Sequence, residues 1–343
     1  MNLAAETLLY PYREGLLDKP TSSTRLLFLN AENTTFLKEL TAPVLMQPRY
    51  DKTRILIDAG HKVVTQLPSE KFDAVWVLPG KDIEEAQYLL AQALLSSKEG
   101  GIILAAAANN AGGKRLEGLF EHLDLSPQSV SKHKARAVFA TVDGGYNRKE
   151  AEIWFAQGHE QKILSSEILS CTGLYGWDKV DTGSALLARQ LPSDLSGRIA
   201  DFGCGWGYLS LQATATSQKI THLTLVDIDA RAISLAERNL QKQNPALSID
   251  TLWADLSHPD PRLGLFDAIL LNPPFHEGTH ALPALGQAII TTAARSLRHT
   301  GKLYLVANRH LPYEKTLHEL FNGNVRLLGE ENGFKTFLCI KNN

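Results

Sequence analysis

Two stretches 194 positions apart in the chain read almost alike: Phe72-Asp73-Ala74-Val75-Trp76-Val77-Leu78-Pro79 and Phe266-Asp267-Ala268-Ile269-Leu270-Leu271-Asn272-Pro273. Each is an apolar run of strand length closed by a proline, the pattern of a parallel strand buried on both faces. Gly101-Ile102-Ile103-Leu104 matches Gly301-Lys302-Leu303-Tyr304-Leu305 in the same way, and Arg54 to Asp58 resembles Leu223 to Asp227. Self-similarity at this distance predicts two copies of one α/β domain in tandem. Unrelated α/β domains would also share such generic strands, so the repeat alone leaves that alternative open.

With 343 residues, 44% of them hydrophobic, the chain can fill two cores, and the expected domains are 1–150 and 151–343. In the first, strands are expected at Leu26–Leu29, Ile55–Ile57, Ala74–Leu78, Gly101–Ala105 and Ala137–Val142. Helices are expected at Asp82–Leu95 and near Lys114–Leu123. The alternation implies a mostly parallel sheet covered on both faces. A turn-rich junction, Asp143 to Asn147, precedes short strand-like pieces at Glu152–Ala156 and Ile163–Ile168. From Thr172 to Ser184, glycines and aromatics suggest either a mobile lid or an ordinary connector.

Residues Met1 to Gly15 carry Glu6, Pro11 and Glu14 and lack the basic start and apolar core of a secretory signal. No apolar run approaches the roughly 18 residues of a membrane span. Cys171, Cys204 and Cys339 are too few and too scattered for a disulfide framework or a cysteine metal site, so a reducing, cytoplasmic setting is expected. The formal net charge of -2 excludes a broadly basic nucleic-acid binder. Phosphates would have to meet local patches, Lys132, His133, Lys134 and Arg136, or Lys114 and Arg115, which read equally well as solvated faces.

The second copy carries the chemistry-bearing residues. Asn272 follows the apolar run Ala268–Leu271, at the strand end where open α/β sheets bind ligands. Pro273 and Pro274 fix their φ angles, so the Asn272 side chain and the Pro273 carbonyl form two fixed acceptors, and Phe275 adds a flat face for a base. Such acceptors suit an amino group on a planar system, whose two N–H donors they bind while its lone pair turns toward an electrophile. Upstream, Asp201-Phe202-Gly203-Cys204-Gly205-Trp206-Gly207 ends one strand, Asp227 the next and Trp253-Ala254-Asp255 a third. The glycines allow close approach to backbone amides, without the Gly-x-Gly-x-x-Gly spacing of a dinucleotide site. Asp227 is placed to bind ribose hydroxyls and Asp255 to accept from an adenine amino group, or to cap a helix. The first copy has Leu27 to Asn33 with no glycine, and Leu78 stands where the second has Asn272.

This ordered set resembles the class I methyltransferases that use S-adenosylmethionine and carry Asn-Pro-Pro-Phe. With the Asp181-Thr182-Gly183-Ser184 lead-in and the tandem build, it is most similar to the bacterial small-subunit ribosomal RNA guanine-N2 methyltransferases of the RsmC type. The resemblance implies two tandem Rossmann-like domains, the N-terminal one degenerate and serving RNA binding or structural support. It implies cofactor contacts at Asp201, Gly203, Cys204, Gly205, Gly207, Asp227, Ile228, Ala254, Asp255 and Asn272, and catalytic roles for Asn272, Pro273, Pro274 and Phe275. It further implies ribosomal RNA, within the small subunit, as partner, a monomer, no membrane and no metal.

Other readings stand beside it. Asn-Pro-Pro-Phe alone does not select guanine N2, so a large-subunit ribosomal RNA enzyme or a protein glutamine N5 methyltransferase shares the motif. A non-catalytic RNA-binding or ribosome assembly factor could keep the cofactor fold. His276-Glu277-Gly278-Thr279-His280 fits the zinc pattern His-Glu-x-x-His, which needs a helix and a third ligand. Gly278 and the preceding prolines oppose that helix.

Overall fold

The computed structural model describes residues 2–163, 166–274, 276–277, 280–281 and 283–342. They form two compact units, Met1–Gln161 with Cys171–Gly173, and Lys162–Ser170 with Leu174–Asn343. The first runs past residue 150 because the helix at Arg148–Gly158 packs on that at Ile83–Ser96, where Gly158 leaves no room for even a Cβ against Tyr88.

In the first unit the elements are α1 (Leu3–Leu8), α2 (Tyr10–Arg13), β1 (Leu26–Leu29), β2 (Val44–Met46), α3 (Tyr50–Asp58), β3 (Val63–Val64) and β4 (Phe72–Val77). They continue with α4 (Ile83–Ser96), β5 (Ser97–Ala108), α5 (Leu116–His122), β6 (Gln128–Lys132), β7 (Ala135–Thr141) and α6 (Arg148–Gly158). The sheet order is β3-β2-β1-β4-β5-β7-β6, parallel through β5 and antiparallel for β7 and β6. Val75, Trp76 and Val77 are fully buried, as expected of a central strand covered on both faces. The Trp76 Nε1–H, which burial would otherwise strand, donates to Tyr12 Oη at 2.8 Å.

The second unit repeats the plan. A short ribbon, β8 (Gln161–Ile163) and β9 (Ile168–Ser170), precedes α7 (Thr182–Gln190), β10 (Ser196–Phe202), α8 (Tyr208–Thr216), β11 (Lys219–Asp227), α9 (Ala230–Gln243) and β12 (Ser248–Trp253). Then come β13 (Phe266–Leu271), β14 (His276–Glu277), β15 (His280–Ala281), α10 (Pro283–Arg295), β16 (Leu297–Asn308), α11 (Tyr313–Leu320), β17 (Val325–Glu331) and β18 (Phe334–Ile340). The order β12-β11-β10-β13-β16-β18-β17 reproduces the first sheet position for position.

That correspondence bears out the tandem fold and corrects three local readings. Ile55–Ile57 lies inside α3, so the partner of Leu223–Asp227 is β2, not Arg54–Asp58. Ile55 and Ile57 are exposed, and so this apolar pair marks no buried strand. Glu152–Ala156 is helical within α6, whose start is capped by Asn147 accepting from the Glu150 amide. Of the expected strand Ile163–Ile168, Ile163 ends one strand and Ile168 begins another, while residues 164 and 165 lie outside the described residues. His276–Glu277 and His280–Ala281 pair as antiparallel strands, not as the helix the zinc pattern needs.

Close helix packing in the second unit depends on Gly286, where a Cβ would lie 1.8 Å from Tyr313 Oη. That hydroxyl is buried without a hydrogen-bond partner among the described residues. Gly286→Ala is expected to cost about 1–3 kcal/mol through overpacking. Tyr313→Phe should be near neutral and should leave most of that loss in place in the double variant, because ring carbon Cζ, 2.4 Å from the added Cβ, remains; urea midpoints of the four proteins measure it.

Candidate active site

In the second unit β10 pairs in parallel with β13, Phe202 opposite Leu271, while β11 and β12 extend the sheet on the far side of β10. The strand order therefore reverses between β10 and β13, and a crevice opens beyond their carboxyl ends. The residues that follow these two strands, Gly203 and Asn272, flank that crevice.

The glycine loop owes its shape to positive φ angles at Gly203 (73°), Gly205 (52°) and Gly207 (95°). The Gly203 and Cys204 amides donate to the Val226 carbonyl at 2.8 and 3.1 Å, which binds the loop to the end of β11. At Gly207 a side chain would press on Ala236 at 3.2 Å, whereas a Cβ at Gly205 would meet nothing within 4 Å. Gly207 thus serves packing of the loop on α9, and Gly205 faces open space.

Asp227 is buried, with Oδ2 accepting from the Gly205 amide and Oδ1 from the Asp229 amide, both at 2.9 Å. A carboxylate has about four acceptor positions, so capacity for hydroxyl donors remains. Asp201 lies deeper, accepting from Ser210 Oγ at 2.6 Å and from its amide at 3.2 Å, and so holds the first turn of α8 from behind the loop. Burial pushes both acids up, Asp201 to about 7 and Asp227 to about 6.

The remaining expected cofactor residues divide by what they expose. The Ile228 carbonyl accepts from Trp253 Nε1 at 2.8 Å. Ala254 is fully buried in the core and reaches the site only through its backbone, its amide bonding the Asp227 carbonyl at 3.0 Å. Asp255 caps no helix; it accepts from the Ser257 amide and hydroxyl and pairs with His258 Nδ1 at 3.1 Å, which commits most of its acceptor capacity to its own turn. Cys204 is buried, its thiol turned to the Gly205 carbonyl.

Asn272 has the most specific setting. Its Nδ2 donates to Asp181 Oδ2 at 2.9 Å and to Ser184 Oγ at 2.8 Å. Its Oδ1 is buried with no hydrogen-bond partner among the described residues. Since an ionised carboxylate only accepts, Asp181 dictates which end of the amide faces it, and the oxygen is left pointing away. Pro273 is buried and Pro274 exposed, while Phe275 lies outside the described residues.

Sequence reasoning named Asp181 and Ser184 only as a lead-in and missed their contact with Asn272. Asp181 is the N-cap of α7, accepting from the Ser184 amide at 2.7 Å. The Asp-x-x-Ser spacing signals that cap but not a partner 91 residues away. Trp206, also missed, donates from Nε1 to the Gly176 carbonyl at 2.9 Å, and Tyr175 Oη donates to Asp181 at 2.7 Å. These bonds tie the Thr172–Ser184 segment, read as a lid or a connector, to the glycine loop and to the cap.

The first unit shows the same frame without the chemistry. Asn30, with φ of 52°, takes the place of Gly203, and the Ala31 amide bonds the Met46 carbonyl as Cys204 bonds Val226. Gln47 stands for Asp227: its Oε1 accepts from the Arg49 amide as Asp227 does from Asp229, but its Nε2 donates to the Ala31 carbonyl at 2.9 Å. Leu78 stands for Asn272.

Residues 165–338 match the methyltransferase small domain family. Among curated proteins, the chain is 30% identical over 272 residues to ribosomal RNA small subunit methyltransferase C of Shewanella amazonensis, covering 78% of this chain and 77% of that protein. The protein of the same name from Psychromonas ingrahamii is 28% identical over 79% of this chain and 76% of its own length. In fold, the chain is similar over 99% of its length to the T. thermophilus 16S rRNA N2 G1207 methyltransferase solved with AdoMet and guanosine, with a TM-score of 0.80, 21% identity and 92% of that chain covered.

The two buried acids give the fold a pH signature. Because their folded pKa values lie above the ordinary 3.8, their contribution to stability is full below that value and is lost as pH rises through about 6 and about 7. Urea midpoints of the ligand-free protein, taken as parent minus Asp201→Asn, should fall between pH 4 and 7.5. A flat difference would remove Asp201 as the source.

Proposed function

The chain belongs to the ribosomal RNA small subunit methyltransferase C family, and on that footing we propose that it transfers a methyl group from S-adenosylmethionine to the exocyclic N2 of a guanine in 16S ribosomal RNA. The observation that carries the reading is the buried Asn272 Oδ1, an acceptor with no partner among the described residues. A buried acceptor left unmade is costly, and an incoming N–H donor removes the cost.

The residues present fit the cofactor. Gly205 faces open space, the loop amides sit at a strand end, and Asp227 keeps acceptor capacity for ribose hydroxyls. When bound there, S-adenosylmethionine supplies an electrophilic methyl group on a positively charged sulfur. The protein's own part is orientation. Asn272 Oδ1 accepts one hydrogen of the guanine amino group and the Pro273 carbonyl the other, which directs the nitrogen lone pair across the crevice toward Gly203 and Asp227. Phe275 supplies the stacking face for a base turned out of its helix. No strong base is required, because the amine sheds its extra proton after transfer.

The N-terminal domain, in which Leu78, Gln47 and Asn30 replace the reacting set, serves RNA binding or structural support. The enzyme acts as a monomer in the cytoplasm, on ribosomal RNA within the small subunit. Among the described residues no helix is long and apolar enough to cross a membrane.

Asn272→Ala should leave cofactor affinity within about twofold while lowering kcat by about 100-fold or more, the scale of losing one preorganised polar contact at a reacting group. Asp227→Ala should instead weaken cofactor binding about 10- to 100-fold, the scale of charge-assisted hydrogen bonds. Calorimetric titration and label transfer to small subunits lacking the modification separate the two, and mapping the labelled nucleotide tests base and atom.

A further inference from the structure

We infer that Asp181 and Ser184 are positioning residues for methyl transfer: together they hold both hydrogens of the Asn272 amide, so that only its oxygen can face the substrate amine. This rests on the reading that Asn272 Oδ1 receives that amine. An asparagine amide rotates over a broad, nearly two-fold torsion, and its two ends are similar in size but opposite in hydrogen bonding. With Nδ2 turned to the crevice, a donor would face a donor and the substrate could not dock productively. The choice of end must therefore be imposed by neighbours.

Asp181 Oδ2 is 2.9 Å from Nδ2 and Ser184 Oγ 2.8 Å from it, so both N–H groups are used. Reversing the amide would set Oδ1 against the Asp181 carboxylate, acceptor on acceptor. Asp181 is itself held in place: the same Oδ2 accepts from the Ser184 amide at 2.7 Å, and Oδ1 accepts from Tyr175 Oη at 2.7 Å. The start of α7 thus fixes one carboxylate oxygen, and that oxygen fixes the amide at the end of β13. Gly183 is required between them, since a Cβ there would lie 2.9 Å from the Phe334 ring and 3.2 Å from Asp181.

Helix capping and amide orientation can be separated by substitution. Asp181→Ser keeps an oxygen that can cap the Ser184 amide but is too short to hold Asn272 as well. Asp181→Asn keeps an oxygen in the place of Oδ2 and turns its own amino group to Tyr175, whose hydroxyl can accept. The expected result is a loss of kcat of about 100-fold for Asp181→Ser, as for a reacting group out of alignment, with the protein still folded and S-adenosylmethionine affinity unchanged. Asp181→Asn should restore kcat to within a few-fold of the parent.

Ser184→Ala, which removes one of the two holds without touching the cap, should fall between them and decides the matter if Asp181→Ser does not fold. Parental kcat in both Asp181→Ser and Ser184→Ala overturns the inference, and so does an Asp181→Asn protein as slow as Asp181→Ser. Full activity in Asn272→Ala would instead sink the proposed function itself, so the two failures are distinguishable.

Discussion

The parallel pairing of β10 with β13 is the constraint on which the second unit depends. From Ile199 to Phe202 and from Ala268 to Leu271 the two strands are buried on both faces, so the backbone groups there must pair across the sheet. Their register sets Phe202 beside Leu271 and so brings the glycine loop and Asn272 to the same strand edge. A slip of one residue would turn every side chain of β13 to the opposite face and carry Asn272 away from Asp181. The site is thus a by-product of a register that the hydrophobic core enforces.

Around that edge the protein buries charge and polarity that a purely structural sheet would exclude. Asp201 and Asp227 are held in the interior with raised pKa values, and Asn272 presents a buried oxygen with no partner among the described residues. Each opposes stability by the cost of desolvating it. Strand ends with such groups are poor places to economise on packing, and the contacts at Gly207 and Gly183 are correspondingly tight.

Much of this was legible in the sequence. The repeat of Phe72–Pro79 in Phe266–Pro273 revealed the paired sheets, because central parallel strands are continuous apolar runs that resist dilution by surface residues. Short elements were less readable: the three-residue β2 lacks enough sequence to show a period, and Ile55 and Ile57 imitated a strand from the outside of a helix. At the site, the glycines and Asn272 announced themselves through residue type and neighbours. The hold of Asp181 on Asn272 did not, because it is a tertiary contact that no local spacing encodes. Nor did local sequence show that Asp255 would be consumed by its own turn or that the Ala254 methyl would enter the core.

The swap of Asp227 for Gln47 in the first unit has an evolutionary corollary. Gln47 donates to the Ala31 carbonyl where Asp227 accepts from the Gly205 amide, so the polarity of that loop has been inverted, not merely weakened. Restoring an acid at position 47 would aim a carboxylate at a carbonyl oxygen. A return to the acid at position 47 is therefore uphill for as long as the Ala31 carbonyl keeps its present place.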